Sequence, residues 1–264
     1  MNLIGRLPRW ILSLSVFFLF TPSILADSPL PTLNIVAVEL PPFIFEKEGE
    51  VHGLMVDIIV EASRRTHLPV AFSLTPWQRA MTQIQFGDAD AIIPTQYKPE
   101  REQQLTFPAT PLHLFKFVVV SRSDLSANYT GKISDLYGAN FVQLRGASIG
   151  PVFDQLVDKG LIKPQLTNNF LSITRMIAAR RADYSVLPQL SALYYQQTTG
   201  LDVAPLMPVA DQHPVYLAFS KTSNYPTPLI ERWAQAIANM QRDGSINALE
   251  RAYIERYLPQ PSHL

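Results

Sequence analysis

The residue with the clearest chemistry is Arg101. It follows an apolar run, Ala91 to Pro94, and a turn, Thr95 to Pro99, at the start of a short predicted helix; Phe107-Pro108 comes six residues later. A planar, permanently charged guanidinium just past a strand end, beside exposed backbone N–H groups, is suited to gripping a small carboxylate. An arginine after a turn is also commonly a solvated charge, so its surroundings decide. Other chemistries find less support. The chain has no cysteine, which excludes disulfides, thiol nucleophiles and thiolate metal sites. His52, His67, His113 and His213 lack paired metal-ligand spacing, so no metal is expected. Ser148 has no histidine or acid nearby in sequence to form a nucleophile set. Neither a catalytic residue nor a cofactor is expected.

These side chains need strands and helices to hold them. Leu33 to Val38 reads as a buried strand that turns at Pro41-Pro42-Phe43, and Glu46 to Val51 as a hairpin loop around Gly49. Gly53 to Thr66 has the apolar spacing of a helix. Val70 to Leu74 is a second strand. Thr75 is expected to cap a helix with Pro76 in its first position, running to Phe86 and ended by Gly87. Ala89 to Pro94 is the third strand. The alternation predicts an α/β unit with a largely parallel sheet. In such sheets ligands bind beyond the C-terminal strand ends, where Glu39, Phe43, Trp77 and Thr95 to Arg101 fall.

A second unit follows the apolar strand Phe115 to Ser121. It contains strands at 140–144, 166–170 and 184–187 and helices at about 151–159, 172–182 and 189–197. Gly146 and Ser148, just before the first of these helices, would make an anion-facing N-terminus with a serine cap. A strand at 215–219 and helices at 228–243 and 245–257 complete the chain.

The N-terminus has the order of a secretory signal peptide. Arg6 and Arg9 precede an apolar run from Trp10 to Phe20, and a small residue, Ala26, marks the expected cleavage. The run is shorter than the roughly 20 residues of a membrane span. Without Arg6 and Arg9 the 22 basic residues fall to 20 against 22 acidic ones, a formal charge of −2. Nothing in that balance points to nucleic acid. Export without a lipid-bearing cysteine fits a soluble protein of the Gram-negative periplasm.

The motifs LPPFIF (40–45), HGLMVDII (52–59), PWQRAM (76–81), FGDADAI (86–92), KPER (98–101), TFPATP (106–111), LRGAS (144–148), ARRADYSVL (179–187), PVYLAFSK (214–221) and MQRDGSINALERAYI (240–254) are spread in order along nearly all of the mature chain. In that order the chain resembles the periplasmic solute-binding proteins of ABC transporters, of the polar amino-acid type (family 3). The resemblance implies a two-lobed periplasmic binding protein fold (type II), in which two α/β lobes joined by a two-strand hinge close on a ligand. Residues 27–118 and 219–264 would form a discontinuous lobe 1, and 119–218 lobe 2. It implies a monomer that takes a small carboxylate-bearing ligand to an ABC permease in the inner membrane.

In that scheme Arg101 clamps the ligand carboxylate, with donors from Thr95 and Gln96 beside it. Gly146 and Ser148 would add N–H groups and a hydroxyl from lobe 2; Arg145 is a weaker candidate. Trp77 and Phe43 would be apolar walls, with core packing the simpler alternative for Phe43. Glu39 would meet a ligand cation or stand solvated. Where amino-acid binders commonly have an aspartate for the ligand ammonium, this chain has Pro188 or, read one residue earlier, Leu187. Either Glu39 takes that role or the ligand has no ammonium. Two further functions share the fold: a cyclohexadienyl-type dehydratase, with Glu39 as general acid, and a soluble sensing module for a membrane partner.

Overall fold

The computed structural model describes residues 30–257; the expected signal peptide at 1–26 lies outside the described residues. β1 (Leu33–Ala37) is the β-branched run, buried at all positions but Asn34. A hairpin, β2 (Phe45–Lys47) and β3 (Glu50–His52), turns at Gly49 and leads into α1 (Leu54–Thr66). α1 buries Leu54, Met55, Ile58, Ile59 and Ala62, the face its spacing dictates. Asp57 in its first turn and Arg64 and Arg65 in its last suit the helix dipole.

β4 (Val70–Leu74), α2 (Trp77–Phe86) and β5 (Ala91–Gln96) follow. α2 begins one residue later than the sequence suggests. Pro76 stands at its cap position, and the Thr75 hydroxyl expected to cap it is buried without a hydrogen bond. Gly87 ends the helix with φ +77, as anticipated. A 3-10 turn (Pro99–Gln103) carries Arg101 at its centre and leads through β6 (Leu105–Thr106) to β7 (His113–Ser121).

The second half contains β8 (Val142–Leu144), α3 (Pro151–Asp158), β9 (Gln165–Thr167), α4 (Phe170–Ala178), β10 (Tyr184–Pro188) and α5 (Gln189–Thr199). β11 (Ala204–Ser220) then returns, followed by α6 (Thr227–Arg242) and α7 (Ser245–Tyr257). The largest sheet has the order β10-β7-β11-β5-β1-β4, with β6 beside the end of β11. β1 pairs in parallel with both β4 and β5. β8 and β9 are parallel, and Phe141, just before β8, bridges to Tyr184 of β10.

β7 and β11 run antiparallel and join the halves. The sequence revealed only the 215–219 portion of β11. Its first part carries Pro205, Pro208 and Pro214, and its pairing with β7 shifts register between Leu206 and Asp211. Proline removes a ladder donor and normally argues against a strand, which hid this segment. The core is anchored where α6 packs on α1 by Trp233, wholly buried, whose indole N–H donates to the Tyr225 hydroxyl at 3.0 Å. Burying a large apolar side chain contributes about 1.5–3 kcal/mol.

Candidate functional site

The C-terminal ends of β1, β5, β8 and β10 converge on one cavity of about 70 Å³. That exceeds several-fold the roughly 10–15 Å³ that one water needs, so a small organic molecule can enter. Period-two alternation along extended chain selects the lining. Val38 and Leu40 face it, as do Pro94 and Gln96, Phe115 and Phe117, and Val186 and Pro188. Trp77 at the start of α2, the 144–149 loop, and Phe170 and Ile173 of α4 complete the walls. Of the eighteen lining residues only Gln96, Arg101, Gln143 and Ser148 are polar, and only Arg101 is charged.

Arg101 is half-buried, and its guanidinium carbon lies 4.6 Å from the centre of the Trp77 ring, within cation–π range. One N–H donates to the Gln96 carbonyl at 2.7 Å, which leaves most of the five guanidinium donors uncommitted. No ion pair among the described residues involves it; Asp154 and Glu100 act on it only through space. Burial pulls its pKa down to about 10, opposed by those two acids. It therefore stays charged at neutral pH, in an apolar setting, with no anion against it. A carboxylate is the natural complement.

Contacts from the second half reach across the cavity to the first. Gln96 Nε2 donates to the Ser148 carbonyl at 3.0 Å, and Lys98 Nζ lies 2.6 Å from Asp154 Oδ2 on α3. Gly146, at φ +74, sits against Trp77; a Cβ there would meet the indole at 2.9 Å. Gly150 is still tighter, since a Cβ would lie 2.2 Å from the His213 ring. Both positions exclude larger residues, and this close approach brings the 144–150 loop against the opposite wall.

A sequence profile of bacterial extracellular solute-binding proteins, family 3, matches residues 34–256. The chain belongs to that family. Solute binding is accordingly its role, and its two-lobed α/β architecture is the periplasmic binding protein fold. A "probable amino-acid ABC transporter-binding protein" of Haemophilus influenzae is 25% identical over 213 residues, covering 79% of this chain and 78% of the relative. A crystallised histidine kinase sensor domain with similarity to periplasmic binding proteins superposes with a TM-score of 0.73 at 19% identity, covering 85% of this chain and 96% of that one. An ancestral amino acid-binding protein, described as a precursor of cyclohexadienyl dehydratase, gives 0.66 at 19% identity, covering 86% and 96%. At such identities the two structural likenesses carry the fold alone.

In this family 3 protein the expected site residues divide into two groups. Arg101, Trp77, Gln96 and Ser148 line the cavity. Ser148 is not a helix cap, however. Gly150 holds that position, and the Ser148 hydroxyl donates to Asp154 Oδ2 at 2.5 Å. The other five candidates, Arg145 included, lie elsewhere. Glu39 is exposed and borders a neighbouring groove, because Val38 and Leu40 on either side take the cavity-facing positions. Thr95 likewise lies between Pro94 and Gln96 and is fully buried on the other side, its hydroxyl 3.5 Å from the Ile92 carbonyl. Phe43 is 3% exposed in the core, against Phe115 and His113. Gly146 touches Trp77 from outside the lining, and Arg145 is exposed, 3.4 Å from Asn168 Oδ1.

Gln143 is the polar lining residue the sequence reading missed. Its Nε2 donates to the Ala147 carbonyl at 2.9 Å, fixing the loop before α3. Its signal was present: a glutamine among buried Phe141, Val142 and Leu144, in a strand where a polar side chain needs a purpose. Among the described residues no cluster of three or more His, Asp or Glu could hold a metal ion, and no helix is long and apolar enough to cross a membrane.

Proposed function

We propose that this chain is an exported receptor that captures a small carboxylated solute, an amino acid or an analogue, on Arg101 and delivers it to an ABC permease of the inner membrane. The observation that carries this reading is the uncommitted guanidinium of Arg101, charged and half-buried among apolar walls. A ligand carboxylate would answer that charge with bidentate, charge-assisted hydrogen bonds. The signal-peptide pattern at 1–26 supports cleavage and residence in the periplasm. Residues 27–118 with 219–264, and 119–218, act as lobes that hinge across β7 and β11. The bonds of Gln96 to Ser148 and of Lys98 to Asp154 are the contacts such closure would form. The name of the Haemophilus relative supports the amino-acid class and the transporter partner.

A dehydratase on this fold needs a proton-transferring group within reach of its substrate. Among the described residues no acid lines the cavity and Glu39 stands outside it, so binding is favoured over catalysis. A thermal-shift screen of the mature chain against amino acids, organic acids, sugars and amines tests the reading, because ligands of the folded state raise the melting temperature. Shifts confined to carboxylates are expected. Shifts with sugars or amines and none with any carboxylate would overturn it, and loss of prephenate on incubation would return the dehydratase.

A further inference from the structure

We propose that the ligand of this cavity is a monocarboxylate with an apolar body and no ammonium group, in the manner of a branched or aromatic 2-oxo acid. The inference rests on the reading of Arg101 as a carboxylate clamp and narrows it. Its basis is the charge inventory of the cavity. Among the described residues Arg101 is the one charged group in the lining, so a ligand carboxylate brings the site to neutrality. A second ligand charge, the ammonium of an α-amino acid, would find no acid there.

The acids nearest the cavity are accounted for. Asp154 is held by Lys98 at 2.6 Å and by the Ser148 hydroxyl at 2.5 Å, and faces an adjoining groove. Glu39 is exposed on another groove, and Glu100 is exposed. The two lining glutamines are neutral, and each spends an amide N–H on a backbone carbonyl, Ser148 at 3.0 Å and Ala147 at 2.9 Å. A buried charge without a counter-charge is costly, whereas a keto or hydroxyl group beside the carboxylate asks only for neutral hydrogen bonds. The apolar walls, among them Phe115, Phe117, Phe170, Val186 and Val215, suit an aliphatic or aromatic remainder.

Pro188 provides a specific control. It lines the cavity and also occupies the cap position of α5 without a side-chain capping bond. Pro188 is buried, but aspartate is among the best N-cap residues, so the carboxylate that Pro188→Asp adds at the cavity can be received by the N–H groups at the start of α5.

The test is isothermal titration of the mature wild-type chain with two matched pairs: 4-methyl-2-oxopentanoate against L-leucine, and phenylpyruvate against L-phenylalanine. The oxo acid is expected to bind about 100-fold tighter than its amino acid in at least one pair, the scale of an uncompensated buried polar group. In Pro188→Asp, checked for folding by its melting transition, that ratio should fall about tenfold as the new carboxylate meets the ammonium. An amino acid that binds wild type as tightly as its oxo acid overturns this inference and leaves the carboxylate-receptor reading standing. A ratio unchanged in a folded Pro188→Asp also counts against it. If Arg101→Ala binds whatever ligand is found as tightly as wild type does, the receptor reading falls, and this inference with it.

Discussion

Two arginines, Arg101 and Arg122, follow strands of the same sheet, and only one has its charge answered inside the protein. Arg122, just after β7, is 5% exposed. It donates to the Ile177 and Ala182 carbonyls at 2.9 Å each, to Asp124 at 3.2 Å and to Asp183 at 3.4 Å. It ties the end of β7 to α4 and to the start of β10. Arg101, just after β5, has a single bond to the Gln96 carbonyl, an indole face, and no ion pair among the described residues. The same side chain is structural where its donors are satisfied and is poised for a ligand where they are not. The partner inventory separates the two roles.

That contrast can be broken by substitution. Arg122→Ala should cause the largest change, a loss of about 3 kcal/mol of stability, the low end for removing one member of a buried charged network because its acid partners are partly exposed. A urea-denaturation midpoint measures it, and a loss under 1 kcal/mol would show the network to be incidental. Lys98→Ala comes next. It removes the 2.6 Å pair to Asp154 across the cavity and should weaken ligand affinity by roughly two- to fivefold with little effect on the free protein, the scale of a partly exposed ion pair. Calorimetry at low and at high salt checks this, the difference from wild type shrinking as salt is added.

A pH series is subtler. A hydrogen bond from Arg180, then the charges of Arg180 and Arg122, hold the Asp124 carboxyl below its ordinary value of 3.8. A lowered carboxylate stabilises the fold above the unfolded-state value, and that contribution is lost as pH falls through the folded one. The stability gap between wild type and Asp124→Asn should therefore close as the pH drops from about 5 into the range below 3.8. A gap that stays constant would remove Asp124 from the account. Arg101→Ala should have the smallest effect on the free protein, within about 0.5 kcal/mol, since it deletes a desolvated charge with one hydrogen bond.

The sequence carried most of the fold because most elements obey a local rule. α1 and α7 show helical apolar spacing, and α2 ends at a glycine in the left-handed region. β11 was half hidden because its prolines contradict local strand rules and only the pairing with β7 overrides them. The site was partly legible. Arg101 and Trp77 were visible as residues just past strand ends. Glu39 and Thr95 were misplaced although strand alternation already set them opposite Val38 and Leu40, and opposite Pro94 and Gln96. Phe43 was misjudged for a different reason. Whether an aromatic after a proline turn points to a cleft or to a core depends on what lies beside it, here Phe115 and His113 from β7, about 70 residues further along the chain. The absence of an acid from the cavity wall needed the folded lining, since only there could Glu39 be set aside as a partner for a ligand cation.

The central claim is that the free charge of Arg101 is kept for a ligand carboxylate. It is tested most directly by titrating Arg101→Ala calorimetrically with the acid that most raises the melting temperature of the wild-type chain. The account predicts affinity weakened about 100-fold or more, as expected when one partner of a buried charged pair is removed. A dissociation constant within about threefold of wild type, less than 1 kcal/mol, would contradict it.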